Sequence, residues 1–162
     1  MTDLSTWKYY YNLEGTENVR ANLVYTPLVS PDQKTFCMDF TRDTNYHWKV
    51  PENVLWTEDE LQQRFINELN FQEQASKIMP TLEIKDVDYE TRKIFIEWHG
   101  DDFLMQRIKD PNILPNWQDQ WLDRLTTMWD NNIAKISIHP NSWTVRGTEF
   151  VPFNWFFCYP LN

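Results

Sequence analysis

One long helix, set among short β-type segments, is the feature that most constrains how this chain folds. Thr57 and Glu60 have the spacing of a capping box, in which each side chain accepts a hydrogen bond from the other residue's backbone N–H. Apolar residues then recur at helical spacing on one face: Leu61, Phe65, Ile66 and Leu69. Pro80 ends the segment, because proline disfavours helical conformation in the residue before it. We therefore predict a helix over about residues 58–77.

Short β-prone runs come before this helix. Residues 9–11 are aromatic, residues 19–25 alternate loosely, and residues 35–40 form a further β-rich run. Pro27 and the stretch 30–33 read as turns between these runs. The first fifty residues therefore predict a three-stranded meander.

A hairpin and a short helix follow the long helix. Residues 82–84 and 94–96 are short β runs, and the polar stretch 86–92 between them predicts the turn. A helical stretch is predicted over about residues 102–108.

The strongest amphipathic pattern in the chain lies within residues 117–129. Six apolar residues share one predicted face: Trp117, Trp121, Leu122, Leu125, Met128 and Trp129. We predict a helix packed on the core, with a partner-binding helix as the alternative. Residues 143–146 and 149–153 flank Gly147 and predict a compact hairpin.

This order of elements predicts an α+β fold in a single domain over residues 1–162. An N-terminal antiparallel sheet with one long helix is followed by a helical segment and a C-terminal β-hairpin. Hydrophobic residues make up 41% of the 162 residues, which is enough to build a core.

The charge and the cysteines narrow the classes of partner and compartment. A net charge of −9 without any Lys/Arg cluster makes nucleic acid an unlikely partner, because binding it requires neutralising phosphates. Cys37 and Cys158 have no motif spacing, which favours a reducing compartment. No N-terminal apolar run follows a basic segment, as a signal peptide would require, and no apolar run is long enough to span a bilayer. We expect a cytoplasmic protein with no membrane partner.

Few sequence patterns suggest chemistry. His47, His99 and His139 are dispersed, so no metal site is predicted, and residues 97–102 read as a polar turn rather than a ligand set. Three glycines cannot build a phosphate-cradling loop, and no nucleophile motif is present. We therefore predict no cofactor. Scattered acids could still converge as a glycosidase pair, although no pattern favours this.

The element order resembles the N-lobe of a protein kinase. Three strands lead to a helix bearing Glu68, and two strands then run into an acidic, aromatic turn that holds Glu97 and His99. In this resemblance Glu68 takes the place of the helix glutamate, and the turn takes the place of the hinge. Residues 1–98 are then N-lobe-like, and residues 99–162 form an abbreviated C-lobe-like part.

Later residues extend the resemblance. The segment 136–145, with Ser137, His139 and Asn141, resembles a kinase catalytic loop, and Asn154 falls at the position of the metal-binding aspartate. The kinase-like part covers about residues 57–158. The chain is also similar to small proteins of tailed phages, particularly those of cyanobacteria.

Departures from the kinase pattern turn this interpretation away from catalysis. Ser137 stands where the resemblance expects the catalytic Asp, Asn154 replaces the metal-binding Asp, and Asn141 or Ser142 replaces the second metal ligand. No lysine at a suitable position accompanies the strand 36–40. The resemblance therefore implies a scaffold more than an enzyme.

Three functions stay open at this level. The first is a non-catalytic phage accessory protein that binds a host or phage protein through an aromatic-rich surface on a pseudokinase-like scaffold. The second is a divergent small kinase or nucleotide-binding protein. Its cleft would draw on these residues: Glu68, Glu97, His99, Ser137, His139, Asn141 and Asn154. The third is a virion or assembly component. The sequence leaves the oligomeric state open.

Overall fold

The structure, a computed structural model, describes residues 3–10, 13, 25–41, 57–99, 116–135, 143–155 and 158–160. Within these residues it has two α-helices and nine β-strands, in this chain order: β1 Lys8–Tyr9, β2 Thr26–Val29, β3 Thr35–Asp39, α1 Glu58–Ser76, β4 Ile84–Asp88, β5 Lys93–Glu97, α2 Trp117–Asp130, β6 Ile133–Lys135, β7 Trp143–Arg146, β8 Glu149–Pro152 and β9 Cys158–Pro160.

The predicted α+β class is confirmed: an antiparallel sheet, a long helix, a second helix and a C-terminal hairpin follow in the expected order. The chain divides into two compact units. The first unit comprises Met1–Ile66 and Glu83–Gly100, and the second comprises Asn67–Leu82 and Asp101–Asn162. The division falls inside α1, so each unit contains about half of that helix.

The first unit is built on a five-stranded antiparallel sheet in the order β1-β2-β3-β5-β4. Strand β3 lies in the middle, and apolar side chains cover both of its faces. On one face, Cys37 lies in register with Leu28 and Phe95, and the three form one buried cluster. Both faces of the central strand are therefore excluded from water.

Aromatic rings form the core on the other face of β3. The Phe36 ring lies 5.2 Å from Trp98 and 6.2 Å from both Tyr10 and Tyr25, between ring centroids. Phe65 of α1 packs edge-on against Phe40 at 5.8 Å. Helix α1 therefore contributes to this core from its first half, and large flat rings fill the space where smaller side chains would leave gaps.

The prediction that Pro27 lies in a turn is wrong, because it lies inside β2, opposite Met38. Ser30 donates its backbone N–H to the Thr35 carbonyl. Because N–H directions alternate along a strand, the residues two and four before Ser30 also point their N–H toward β3. The nitrogen of Pro27, three residues before Ser30, points away from β3. Strand β1 pairs only with Leu28 and Val29, so Pro27 has no ladder hydrogen bond to lose. Residues 19–24 of the predicted second strand lie outside the described residues.

Of two predicted turns in the first unit, one is confirmed and the other is shifted. The turn after β2 is confirmed: the Gln33 N–H donates to the Ser30 carbonyl, and Gln33 has a φ of 56°. The next hairpin is shifted from its prediction, since β4 starts at Ile84 and the turn narrows to residues 89–92. Arg92 closes that turn with a φ of 55°, which is left-handed and uncommon for a residue with a side chain.

Strand β4 lies at an edge of the sheet and is irregular. Its register with β5 shifts between Ile84 and Asp86, which indicates a β-bulge. Lys85 and Asp86 are exposed there. Lys85 also donates through Nζ to the Lys34 carbonyl at 3.1 Å.

Helix α1 begins as predicted. The Thr57 N–H donates to Glu60 Oε1, and the Glu60 N–H donates to Thr57 Oγ1, both at 3.2 Å. Its buried seam differs from the prediction, because Leu69 is only half-buried. One line of buried positions recurs every three or four residues as Leu61, Phe65, Glu68, Gln72 and Ala75, and Phe71 is buried beside it. Two polar side chains therefore lie inside an otherwise apolar seam.

The second unit is built from α2, the β7–β8 hairpin, the β6–β9 pair and the second half of α1. The hairpin has the predicted position, and Gly147 adopts a φ of 62° in its two-residue loop. Its core is one cluster of buried side chains: Phe71, Ala75, Met79, Met128, Ile133, Trp143, Val145, Phe150 and Trp155. The predicted helix over residues 102–108 lies outside the described residues.

Helix α2 was predicted correctly in extent but not in its faces. Trp117, Trp121 and Leu125 pack on the core cluster as expected. Leu122 and Trp129 were predicted on that face but are 61% and 48% exposed. At 100° per residue, the six apolar residues spread over about 140° around the helix axis, with Trp117 and Leu122 at the two ends. The core covers only part of this width, and Leu122 and Trp129 lie beyond it.

The capping box gives the first testable prediction. Replacing Thr57 with Ala removes the acceptor for the Glu60 N–H and should lower the free energy of unfolding by about 1 kcal/mol. Chemical denaturation followed by circular dichroism measures the change. Thr126→Ala is the matched control, because that hydroxyl only bonds back to the Leu122 carbonyl within α2. The control should change stability by less than about 0.5 kcal/mol. Equal losses in both variants would contradict the capping role.

Candidate functional site

Two of the predicted cleft residues, Glu68 and Asn154, lie in the second unit and are both buried, with only 4% of each exposed. Glu68 is on α1, and Asn154 follows β8. The residue after Asn154 links them, because Trp155 bonds directly to Glu68. The structure therefore brings this pair together, in the interior of the unit.

Glu68 receives the backbone of Trp155 with its whole carboxylate. The Trp155 N–H donates to both oxygens of Glu68, at N···O distances of 2.8 and 3.0 Å. A hydrogen bond to a charged acceptor is about twice as strong as a neutral one. Burial of the carboxylate would be costly without such donors.

Gln72, one turn further along α1, holds the side chain of the same tryptophan. The Trp155 indole Nε1–H donates to Gln72 Oε1 at 2.6 Å, and Gln72 Nε2 donates to the Leu82 carbonyl at 2.5 Å. Glu68, Gln72 and Trp155 are referred to below as the Trp155 anchor. All three side chains are buried, and Trp155 also belongs to the core cluster of the unit.

Two other predicted residues, Glu97 and His99, lie in the first unit. His99 Nε2 is 2.8 Å from Glu97 Oε2, and Glu97 Oε1 accepts the Glu83 N–H at 2.8 Å. One carboxylate therefore closes the end of the β4–β5 hairpin and also holds the histidine. Ser137, His139 and Asn141 lie outside the described residues.

An open depression of about 400 Å³ lies at the turn of the β4–β5 hairpin in the first unit. Asp86, Asp88 and Glu90 line it together with Lys93. The Thr91 N–H donates to Asp88 and holds the pKa of that carboxyl below its usual range. The Asp88 carboxylate therefore stabilises the turn of the hairpin.

The described residues show no arrangement typical of metal or thiol chemistry. Among them, no group of three or more His, Cys, Asp or Glu side chains is placed to hold a metal ion. Cys37 is fully buried, and burial, assisted by the nearby Asp39 carboxylate, raises the pKa of its thiol. A thiol in that state is a poor nucleophile.

Among the described helices, none combines the length and apolarity needed to cross a bilayer.

Exposed apolar surface occurs on α2 of the second unit. Leu122 and Trp129 are seven residues apart, so they project within about 20° of each other and lie about 10 Å apart along the axis. We call these two residues the α2 strip. Tyr89, on the turn of the first unit, is the other exposed large hydrophobic side chain among the described residues, at 67%.

Polar side chains hold α2 against the hairpin and so fix where the strip points. Gln120 accepts the Phe150 N–H at 3.0 Å and donates to the Thr148 carbonyl at 2.8 Å. Arg124 donates to the Phe150 carbonyl at 3.2 Å. The strip therefore sits on a helix whose rotation is set by contacts on its other side.

Sequence reasoning missed Gln72, Trp155 and the exposure of the α2 strip. The buried seam of α1 repeats at intervals of four and three residues, and two polar members in such a seam are a readable sign of a buried polar contact. Their partner could not be read, because Trp155 lies 83 residues beyond Gln72 in the chain.

Comparisons with protein-family models and with curated proteins found no match for this chain.

The Trp155 anchor gives the second prediction. Glu68→Gln keeps the shape but removes the charge that receives the Trp155 N–H, and should lower the free energy of unfolding by about 1.5–3 kcal/mol. Urea denaturation followed by circular dichroism measures the loss.

Glu73→Gln on the same helix is the matched control. Glu73 is 71% exposed and contacts only Lys77 among its described ion pairs, at 3.8 Å. That variant should change stability by less than about 0.5 kcal/mol. If the Glu68 variant were as stable as this control, the anchor would carry no stability.

Proposed function

We propose that this protein works without catalysis, by binding another protein through the α2 strip. The observation that carries the proposal is the exposure of Leu122 and Trp129, two turns apart on a helix whose opposite face is packed on the core. Apolar side chains at positions i and i+7 of a helix are spaced to contact the apolar surface of a partner helix or of a hydrophobic groove.

The residue types and their setting support this role. Tryptophan is enriched among the residues that dominate binding energy at protein interfaces. Helix α2 is held by Gln120 and Arg124, so binding would not have to order it, and little conformational entropy would be lost there. Among the described residues of the second unit, Trp129 of this strip is the exposed aromatic side chain.

The buried state of Glu68 supports a binding role over the nucleotide-binding alternative. A kinase needs its helix glutamate to pair with a strand lysine, and it needs an aspartate that holds the metal ions. Here the Glu68 carboxylate receives the Trp155 N–H inside the second unit, and Asn154 is buried beside it. Ser137, at the position that the kinase resemblance assigns to the catalytic base, has a side chain of negligible basicity at neutral pH.

The partner would be a protein of the phage or of its host, met in the host cytoplasm. This part of the proposal rests on the resemblance to tailed-phage proteins and to a kinase-like scaffold. The acidic charge of −9 supports a protein over a nucleic acid.

A comparative capture experiment tests the binding role. Tagged protein and its Leu122→Ser/Trp129→Ser variant are incubated with lysate of an infected bacterial host, and retained proteins are quantified by mass spectrometry. We expect at least one protein to be retained by the parent and reduced about tenfold or more with the variant.

Tyr89→Ser is the matched control, because it also removes an exposed aromatic ring but lies in the first unit. The control should retain the same protein, and all three forms should melt at similar temperatures. Equal retention by the α2 variant and the parent would overturn the proposed function.

Thermal denaturation with nucleotide tests the alternative directly. We expect the melting temperature to stay unchanged with millimolar ATP and Mg²⁺ or Mn²⁺. A ligand present at 100 times its Kd would raise stability by about 2.7 kcal/mol, which is readily measured. A shift that requires both nucleotide and metal, and that Asn154→Ala removes, would favour the nucleotide-binding function instead.

A further inference from the structure

In the described part of the chain, no cation complements the negative charge at the C-terminal end of α2, next to the α2 strip. The last turn has no basic residue and ends in Asp130. The carbonyls of this end accept from neutral groups: the Asn131 amide donates to Thr127 at 2.8 Å, and the Asn132 backbone N–H donates to Trp129 at 3.1 Å. A helix C-terminus has a partial negative charge, which a cation would complement and Asp130 reinforces.

The rest of the exposed surface of α2 has the same sign. Asp119 and Asp123 lie on its solvent side. Its one cation, Arg124, has 14% of its side chain exposed and contacts Asp123 at 2.9 Å and Glu149 at 3.7 Å. The positive charge of α2 is therefore turned toward the hairpin, while carboxylates flank the strip.

This charge pattern restricts what can cover the strip. A second copy of the same face would bring the carboxylates of Asp119, Asp123 and Asp130 close to those of the first copy, and like charges at an interface oppose association. A nucleic acid would meet the same repulsion from its phosphates. A segment with an apolar stripe and flanking cationic side chains would instead fit this surface: its stripe would contact Leu122 and Trp129, and its cations would contact the carboxylates.

Resting on the proposed function, we infer that the segment bound by the α2 strip is a basic amphipathic helix. Its apolar side chains cover Leu122 and Trp129, and its Lys or Arg side chains meet Asp119, Asp130 and the C-terminal carbonyl end of α2. The exposed face of the Trp129 indole adds a favourable contact for one of these cations.

Three fluorescein-labelled synthetic peptides of about 18 residues test the inference by fluorescence anisotropy. The first is an amphipathic helix with a leucine stripe and a lysine-rich polar face. The second keeps the stripe and replaces the lysines with glutamates. The third has the composition of the first in scrambled order, so that no stripe forms.

We expect the lysine peptide to bind at least about tenfold more tightly than either of the others, and to weaken as salt is raised. Leu122→Ser/Trp129→Ser should lower that affinity about tenfold. Asp130→Asn, which keeps the fold and the apolar surface, should lower it about threefold. Tyr89→Ser should leave it unchanged, although Tyr89 also lies among carboxylates.

Three results would overturn the inference. The glutamate peptide could bind as tightly as the lysine peptide, the scrambled peptide could match it, or the lysine peptide could fail to bind at about 100 μM protein. The lysate capture depends only on Leu122 and Trp129 and not on charge. If the lysate yields a partner that depends on the strip but the peptides show no preference for basic residues, the basic-helix inference is rejected and the proposed binding function is retained. Loss of strip dependence in the lysate rejects the function itself.

Discussion

The second unit depends on a buried carboxylate and a buried amide that hold one tryptophan. Glu68 receives the Trp155 backbone, and Gln72 receives its indole, so a single residue is fixed at two points from adjacent turns of α1. Apolar contacts alone would allow α1 to rotate or slide among similar arrangements, because dispersion and burial are not directional. The directional bonds favour the one arrangement in which both N–H groups of Trp155 meet their acceptors on Glu68 and Gln72. The apolar side chains of the core cluster pack around Trp155 in that arrangement.

The same contact bears on the kinase resemblance that the sequence suggests. The element order that the sequence suggested is present in the first unit and α1. Glu68, which the kinase resemblance places at the helix glutamate, is bonded to the backbone next to Asn154. Both of its carboxylate oxygens therefore accept a hydrogen bond inside the second unit. Function is then better sought on the surface, where α2 presents apolar side chains beside carboxylates.

Local signals predicted elements well, and long-range contacts decided the rest. Thr57 with Glu60 located the start of α1, and Gly147 located the C-terminal hairpin, because both act within a few residues. Pro27 was misplaced because its tolerance in a strand depends on where a neighbouring strand ends. Leu122 and Trp129 were misassigned because hydrophobicity records what a side chain prefers, whereas exposure depends on how wide a face the hairpin covers. The Trp155 anchor joins residues more than 80 positions apart, and no local pattern encodes such a contact.

The irregular edge of the first unit has a consequence for how the protein behaves in a crowded cell. A sheet edge with free backbone groups is a template on which another chain can add a strand. Here the bulge at Ile84 and Asp86 breaks the spacing that a neighbouring strand would need, and exposed Lys85 and Asp86 add charge. At the opposite edge, β1 comprises two residues in the described part of the chain. Both edges are therefore poor templates for a strand of another copy, although the core strands of the sheet are apolar on both faces.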